Sequence, residues 1–150
     1  MDKFVIISDT RQQEGKHEAK LAYFKAQGYK VVRTKLFVGD YARLDNQTIA
    51  IDTKKDFLEL CGNVCGNQHE RFRDECKRAK ECGIQLIILI EEIPPHGNLS
   101  EWHSPRTKVK GETLAKCLRT MQERYGVKFG FCDKASTGKI IINILKGVDK

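Results

Sequence analysis

Apolar residues along this chain recur with two periods, one typical of strands and one typical of helices. Residues 4–8 form a short apolar run that predicts a buried strand, and residues 84–90 are almost continuously apolar, as expected of a strand covered on both faces. Residues 29–38 lead into a hairpin, and residues 127–132 predict a late strand. Helical spacing recurs in further segments, at residues 16–27, 56–82, 114–125 and 140–145.

Strands that alternate with helices predict an α/β fold, here a three-layer sandwich with a central mixed sheet. Within residues 56–82, Gly62, Gly66 and Asn67 interrupt the helical pattern, so we expect a break and then a second helix. A length of 150 residues is usual for one domain, and no repeat or linker divides the chain. We therefore expect residues 1–150 to form a single domain.

The hairpin is predicted between residues 36–41 and residues 47–54, joined by a short polar turn. The second segment alternates apolar and polar positions, so Asp52 and Lys54 share one face of the strand. If the loop consists of the three turn residues, Asp40 on the first strand lies directly opposite Asp52. The pattern thus places two carboxylates and an ammonium group side by side.

The segment at residues 93–111 contains all three prolines of the chain and predicts a long irregular loop, which we expect to be mobile. Its second half is basic. Arg106, Lys108 and Lys110 either follow the backbone of a nucleic acid or only keep the loop soluble. We expect Trp102 to anchor the loop against the core rather than to stack on an unpaired base.

The formal net charge of +7 favours a polyanionic partner such as nucleic acid. No apolar stretch approaches the roughly 18 residues of a membrane span, and no leader precedes the first strand. We expect a cytoplasmic protein without a membrane partner. The six cysteines are expected to be free thiols, because a chain with its own core and no export signal does not depend on disulfides.

The chemistry of the hairpin indicates a nuclease. Asp40 and Asp52 supply the oxygen ligands that hard divalent cations prefer, and Lys54 can orient or deprotonate an attacking water. A carbonyl oxygen near Thr53 is a further candidate ligand. We expect Lys54 to be exposed and to contribute to catalysis rather than to stability.

Five short motifs occur along the chain in a familiar order: Asp9-Thr10-Arg11, Gly39-Asp40-Tyr41, Asp52-Thr53-Lys54, Gln68 with Arg71, and a strand that ends in Glu91. Together they resemble the XPF-type nuclease domain of the PD-(D/E)xK superfamily, and the resemblance spans residues 4–145. It implies a restriction-endonuclease-like fold and a structure-selective endonuclease that cuts branched or flapped DNA with Mg²⁺ or Mn²⁺. A role in DNA repair or recombination is also typical of the family.

The resemblance also implies roles for single residues. Asp40 and Asp52 would be metal ligands, and Lys54 the catalytic lysine. Asp9 and Arg11 would support the metal and the phosphate, although a salt bridge or turn explains them equally well. Gln68 and Arg71 lie near a predicted helix start, and we expect them to contact DNA.

The chain departs from the family pattern at three positions. Thr53 stands where an arginine is usual, Gln12 where a glutamate is usual, and Leu58 where an acidic residue is usual. A catalytically weak or inactive nucleic-acid-binding module of the same fold is therefore the main alternative. The helix-hairpin-helix module that often follows such domains does not appear in this sequence, which suggests a stand-alone phage or bacterial version; the family also suggests a homodimer.

Zinc is a rival hypothesis. Cys61, Cys65 and His69 are spaced four residues apart, and Cys76 and Cys82 follow, so thiolates and an imidazole are available for a tetrahedral site. The tight cysteine pairs typical of such sites are missing, however, and cysteine is often buried as a small apolar residue. A structural zinc-binding interaction domain is thus the third possibility.

Overall fold

The computed structural model describes residues 3–11 and 17–149, so the substitution at Gln12 lies outside the described residues. Six strands form one mixed sheet: β1 (Ile6–Ser8), β2 (Val31–Arg33), β3 (Tyr41–Arg43), β4 (Ile49–Lys54), β5 (Gln85–Ile90) and β6 (Lys128–Phe131). Their order across the sheet is β2-β1-β3-β4-β5-β6. The β3 strand is antiparallel to both of its neighbours, and the other pairs are parallel.

Five helices cover the two faces of this sheet: α1 (Glu18–Ala26), α2 (Phe57–Val64), α3 (His69–Glu81), α4 (Gly111–Tyr125) and α5 (Thr137–Lys146). Buried residues of α2, α3 and α4 share one core cluster with Ala50 and Leu86. Buried residues of α1 and α5 share the other cluster with Ile51 and Leu89. The predicted three-layer α/β sandwich with a central mixed sheet is confirmed.

The hairpin forms as predicted at its centre but not at its start. Tyr41 pairs with Ile51, and this register places Asp40 opposite Asp52, as the turn length predicts. The predicted strand over residues 36–41 is wrong, because regular pairing begins only at Tyr41. Gly39 has a φ of +79°, and a Cβ there would lie 3.1 Å from the Ile51 carbonyl oxygen, so the chain bends where it approaches β4.

The segment before the hairpin also differs from the prediction. Residues 29–38 do not lead directly into β3, since β2 (Val31–Arg33) pairs in parallel with β1 at the edge of the sheet. The predicted break within residues 56–82 is confirmed, because α2 ends at Val64 and α3 begins at His69. Phe72, on the inward side of α3, is buried.

The long loop at residues 93–111 is anchored to the core in its first half. The Trp102 side chain is buried and its ring packs edge-on against Phe57, with centroids 5.9 Å apart, which confirms the expected anchoring role. Two short 3₁₀ turns, Pro95–Gly97 and Leu99–Glu101, shape this half. The mobility of the loop stays a prediction. None of the helices in the described part of the chain is long and apolar enough to cross a membrane.

Candidate active site

A groove of about 1340 Å³ runs across the carboxyl end of β4 and is bounded on one side by α3. The residues expected from the hairpin, Asp40, Asp52 and Lys54, all line it. Cationic side chains outnumber the exposed acidic residues Glu59 and Asp74 at its rim; the cationic residues are Lys35, Lys55, Arg71, Arg78 and Lys134. The groove therefore combines an acidic floor with a basic rim.

The two aspartates are held by the hairpin itself. The Asp40 backbone N–H donates to the Ile51 carbonyl oxygen at 2.7 Å, which locks the residue onto β4. Its Oδ2 atom accepts hydrogen bonds from the Thr53 backbone N–H and from the Thr53 hydroxyl, both at 2.9 Å. Burial raises the pKa of Asp40 well above its ordinary value, and the negative charge of Asp52 and a hydrogen bond to its carboxyl group raise it further.

The Thr53 contact gives a physical role to a departure from the family pattern. A threonine here removes a cation, but its hydroxyl donates a hydrogen bond that holds the Asp40 carboxyl group. The substitution therefore keeps the carboxylate pair in place.

Lys54 lies beside Asp52, with its Nζ atom 3.2 Å from Asp52 Oδ2. The expectation that Lys54 is exposed is wrong, because its side chain is only 14% exposed and its ammonium group lies 5.5 Å from the Phe72 ring centre. Burial alone lowers the pKa of Lys54, but the charges of Asp52 and Glu75 raise it by more, so the net pKa lies above the ordinary value. The lysine is thus protonated at neutral pH.

Glu75 is a member of the site that the sequence analysis missed. It projects from α3, and its Oε2 atom accepts a hydrogen bond from the Gly39 backbone N–H at 3.2 Å. Burial raises its pKa to about 7, and the negative charge of Asp52 contributes to the shift. A signal existed, since Glu75 follows the buried Phe72 by three residues on a helix and so lies on the same side. We call Asp40, Asp52, Lys54 and Glu75 the acidic cluster.

Asp9 and Arg11 form a compact unit at the end of β1. The Asp9 backbone N–H donates to the Asp40 carbonyl oxygen at 2.9 Å, which joins this unit to the hairpin. The Arg11 Nε atom donates to both Asp9 oxygens, and Arg11 Nη2 donates to the Leu36 carbonyl oxygen at 2.7 Å. Burial alone raises the pKa of Asp9, but the hydrogen bonds from Arg11 outweigh it and hold the pKa below its ordinary value. The salt-bridge interpretation is thus realised, and a role toward metal or phosphate stays a prediction.

The predicted DNA-contacting residues fall into two places. Gln68 and Arg71 are exposed and line the groove, beside the acidic cluster. Arg106, Lys108 and Lys110 are exposed on the long loop and are not among the residues that line the groove. The structure therefore brings the first pair to the site and leaves the basic loop outside it.

A second charged group, of which the sequence analysis named only Glu91, also borders the groove. The Lys20 Nζ atom lies 3.0 Å from Glu91 Oε1, and both side chains are almost fully buried. The Thr137 hydroxyl donates to Glu91 Oε2 at 2.7 Å. The Glu91 backbone N–H also donates to the Lys54 carbonyl oxygen at 2.8 Å, so this group is tied to β4. We call Lys20, Glu91 and Thr137 the paired cluster.

The donor set of the acidic cluster suits Mg²⁺ or Mn²⁺. These ions accept one or two carboxylates and complete their shells with water and substrate phosphates, and Asp40 and Asp52 provide such a pair on neighbouring strands. Asp52 also lies within hydrogen-bonding reach of the carboxyl groups of Asp40 and Glu75, so negative charge is concentrated around it. An ion of double positive charge would offset this repulsion.

Zinc finds less support. Across residues 3–11 and 17–149, no group of three or more His, Cys, Asp or Glu side chains could hold a metal ion, so neither the cysteines nor the acidic cluster offers three such ligands. A zinc site needs such a set of side chains, whereas Mg²⁺ needs only one or two carboxylates and completes its shell with water and phosphates. Burial raises the pKa of Cys61 to about 11 and that of Cys65 to about 12, and Cys65 Sγ lies 3.2 Å from Cys117 Sγ. The helix that would align Cys61, Cys65 and His69 ends at Val64. The spacing of Cys61, Cys65 and His69 is therefore not realised on one face of a single helix.

Comparisons with known proteins identify the fold and the family of the chain. The fold matches XPF from Aeropyrum pernix with a TM-score of 0.71 and 18% identity, over 97% of this chain and 65% of that one. A second structure, XPF from Aeropyrum pernix in complex with DNA, matches with a TM-score of 0.71 and 17% identity, over 98% of this chain and 65% of that one.

The present chain thus spans about two thirds of the length of both structures. No curated protein matches the sequence. The model of the ERCC4 domain matches residues 8–144, which is most of the chain, and the expected XPF-type domain is confirmed. The chain belongs to the ERCC4 domain family.

Proposed function

We propose that this domain is a metal-dependent DNA endonuclease that hydrolyses phosphodiester bonds in branched or flapped DNA, with Mg²⁺ or Mn²⁺ as its cofactor. The observation that carries the proposal is the position of Asp40 opposite Asp52, with Lys54 Nζ 3.2 Å from Asp52, in a groove with a cationic rim. Membership of the ERCC4 domain family supports the same activity.

Asp40 and Asp52 would hold the cation, with a main-chain carbonyl near Thr53 as a further ligand. When bound, the ion lowers the pKa of a coordinated water and polarises the scissile phosphate. Thr53 fixes the orientation of the Asp40 carboxylate through its hydroxyl group. The chain's own contribution is therefore to hold two carboxylates at one end of a hairpin before substrate arrives.

Lys54 acts as a cation rather than as a base. Its raised pKa keeps the ammonium group protonated at neutral pH, so it donates hydrogen bonds to the attacking water or to a phosphate oxygen. Its positive charge also offsets the charge that develops on the phosphate as the 3′ oxygen departs.

DNA as the partner is supported by charge. The chain carries a formal net charge of +7, and cationic side chains such as Arg71 and Arg78 stand at the rim where phosphates would lie. One of the matching structures is XPF in complex with DNA. We also propose that the protein selects branched DNA and acts as a homodimer, because both properties are expected of the XPF-type family that the chain resembles.

The alternative is a DNA-binding module that has lost catalysis. Two departures from the family pattern motivate it, at Gln12 and Thr53. The hydrogen bonds from Thr53 to Asp40 argue for retained activity, because they keep the carboxylate pair oriented.

Cleavage of labelled flap, fork, Holliday-junction and linear DNA tests the proposal, in Mg²⁺, Mn²⁺ or EDTA. We expect metal-dependent cutting of the branched substrates, abolished in Asp52→Asn. Binding without cutting in every metal would favour the inactive module, and cutting that persists in Asp52→Asn would come from a contaminant.

A further inference from the structure

An aromatic side chain stands exposed in the groove beside the acidic cluster. Phe37 is 57% exposed, whereas its neighbours Leu36 and Val38 are 3% and 1% exposed. The other large apolar side chains that are exposed in the described ranges are Val32, Leu44, Ile93 and Phe131, and none of these lines the groove. Single exposed apolar side chains are common on protein surfaces, but Phe37 differs from the others here because it lies in the groove.

The pattern of burial places a cation on the same side as the ring. Lys35 and Phe37 are exposed and line the groove, while Leu36 and Val38 between and beyond them are buried. Both side chains therefore face the groove, although the chain bends at residues 37–40 and does not continue as an extended strand. An ammonium group and an aromatic ring are thus presented together. The ammonium group can bind the phosphate of a nucleotide, and the ring can stack on its base.

The backbone that carries the ring is fixed on both sides, although it forms no regular strand. Arg11 Nη2 donates to the Leu36 carbonyl oxygen at 2.7 Å, immediately before Phe37. The Gly39 backbone N–H donates to Glu75 at 3.2 Å, two residues after it. The backbone that carries Phe37 is therefore ordered before DNA binds, which lowers the entropy cost of binding.

We propose that Phe37 is a stacking platform for an unpaired base next to the scissile phosphate, and that Lys35 binds the phosphate of the same nucleotide. Bases within a duplex already stack on their neighbours, so an aromatic side chain gains most from a base that has left the helix. The platform would make the groove prefer forks and flaps to continuous duplex. This inference rests on the proposed function, since it names the feature of the substrate that the site selects.

The test measures binding rather than cutting, so that it is independent of catalysis. The otherwise unchanged chain, Phe37→Ala and the exposed control Leu44→Ala are titrated in EDTA with forked and fully duplex DNA. The forked DNA carries 2-aminopurine at the first unpaired position, because stacking quenches its fluorescence. Circular dichroism checks the fold of both variants.

We expect the unchanged chain and Leu44→Ala to prefer the fork and to quench 2-aminopurine. Phe37→Ala should lose the quenching and about tenfold in affinity for the fork, equivalent to ~1.4 kcal/mol, with little change on duplex. Quenching that persists in Phe37→Ala, an equal loss of affinity on both DNAs, or no DNA binding at all would overturn the platform.

The outcomes separate the two proposals. Metal-dependent cleavage by a protein whose quenching does not depend on Phe37 would remove the platform and leave the nuclease. Quenching that depends on Phe37 in a protein that never cuts would support the platform and remove the nuclease.

Discussion

Two buried clusters of charged residues lie along the same groove, and they differ in their balance of positive and negative groups. In the paired cluster one ammonium group meets one carboxylate at 3.0 Å, and the second carboxylate oxygen accepts a hydrogen bond from Thr137. In the acidic cluster three carboxyl groups share one ammonium group. Its members are Asp40, Asp52, Glu75 and Lys54.

The difference distinguishes structural from functional burial of charge. A buried ion pair is costly to break, and because its two charges balance each other it does not need a bound ion. Burial raises the pKa of Asp40 and of Glu75, and the neighbouring charge of Asp52 raises both further; pKa shifts of this kind are typical of functional sites. The paired cluster therefore holds the fold at the end of β4, whereas the acidic cluster is suited to bind a cation.

The largest effect is expected on catalysis in the acidic cluster. Asp52→Asn removes a metal ligand, so the rate of cleavage should fall by about 10³-fold or more. The free energy of unfolding without metal should change little, because the relief of repulsion with Asp40 and Glu75 offsets the lost ion pair with Lys54, which keeps Glu75 as a nearby counter-charge. Cleavage assays and urea unfolding of the same preparations measure the two effects. A large loss of stability would show that the carboxylate is structural.

The paired cluster should respond in the opposite way. Glu91→Gln leaves the buried Lys20 ammonium group without its counter-charge, so the free energy of unfolding should fall by about 3 kcal/mol. Urea unfolding followed by circular dichroism gives the value. Thr137→Val is a milder companion that removes one hydrogen bond, with an expected loss of about 1 kcal/mol. Unchanged stability in Glu91→Gln would contradict the comparison.

The pH dependence of stability should report on Glu75. Its pKa is about 7 in the folded protein against an ordinary 4.5, so the folded state binds more protons than the unfolded state between these values. Stability of the metal-free protein should therefore decrease as the pH rises through this window, by something on the order of 2 kcal/mol.

The matched variant for this experiment is Glu75→Gln. Asp40 contributes a fall of the same sign, so only the difference between the two proteins is assigned to Glu75. Unfolding midpoints measured across the window should decline less steeply in the variant. Identical slopes would remove Glu75 from the acidic cluster.

The smallest effect concerns the rim. Arg71→Ala should weaken DNA binding several-fold and reduce the dependence of affinity on salt by about one counterion. Arg119→Ala is the control, because Arg119 is exposed on α4 and does not line the groove. Fluorescence anisotropy at several salt concentrations gives both quantities, and equal slopes for the two variants would place the phosphates elsewhere.

Local sequence patterns were enough to predict that Asp40 and Asp52 lie opposite each other. A period of two along β4 and a short turn set the register that places Asp40 opposite Asp52. The start of the preceding strand could not be predicted in the same way. The bend at Gly39 depends on its close approach to Ile51, which no local pattern contains.

Contacts between distant segments were also beyond local reasoning. Glu75 joins the site because α3 meets the chain at Gly39, just before β3, and Lys20 of α1 meets Glu91, which directly follows β5. The expected exposure of Lys54 failed for the same reason, since Phe72 on α3 covers the lysine. Periodicity shows which face of a helix is apolar, but not which polar residue at its edge will meet a strand far away in sequence.

The most direct test of the account is a titration of Mn²⁺ followed by electron paramagnetic resonance, in which bound ion loses the sharp signal of free Mn²⁺. We predict that the wild-type protein binds Mn²⁺, that Asp40→Asn loses most of this binding, and that Glu91→Gln retains it at a temperature where it is folded. Equal binding by the Asp40→Asn and wild-type proteins would contradict the assignment of the acidic cluster as the metal site.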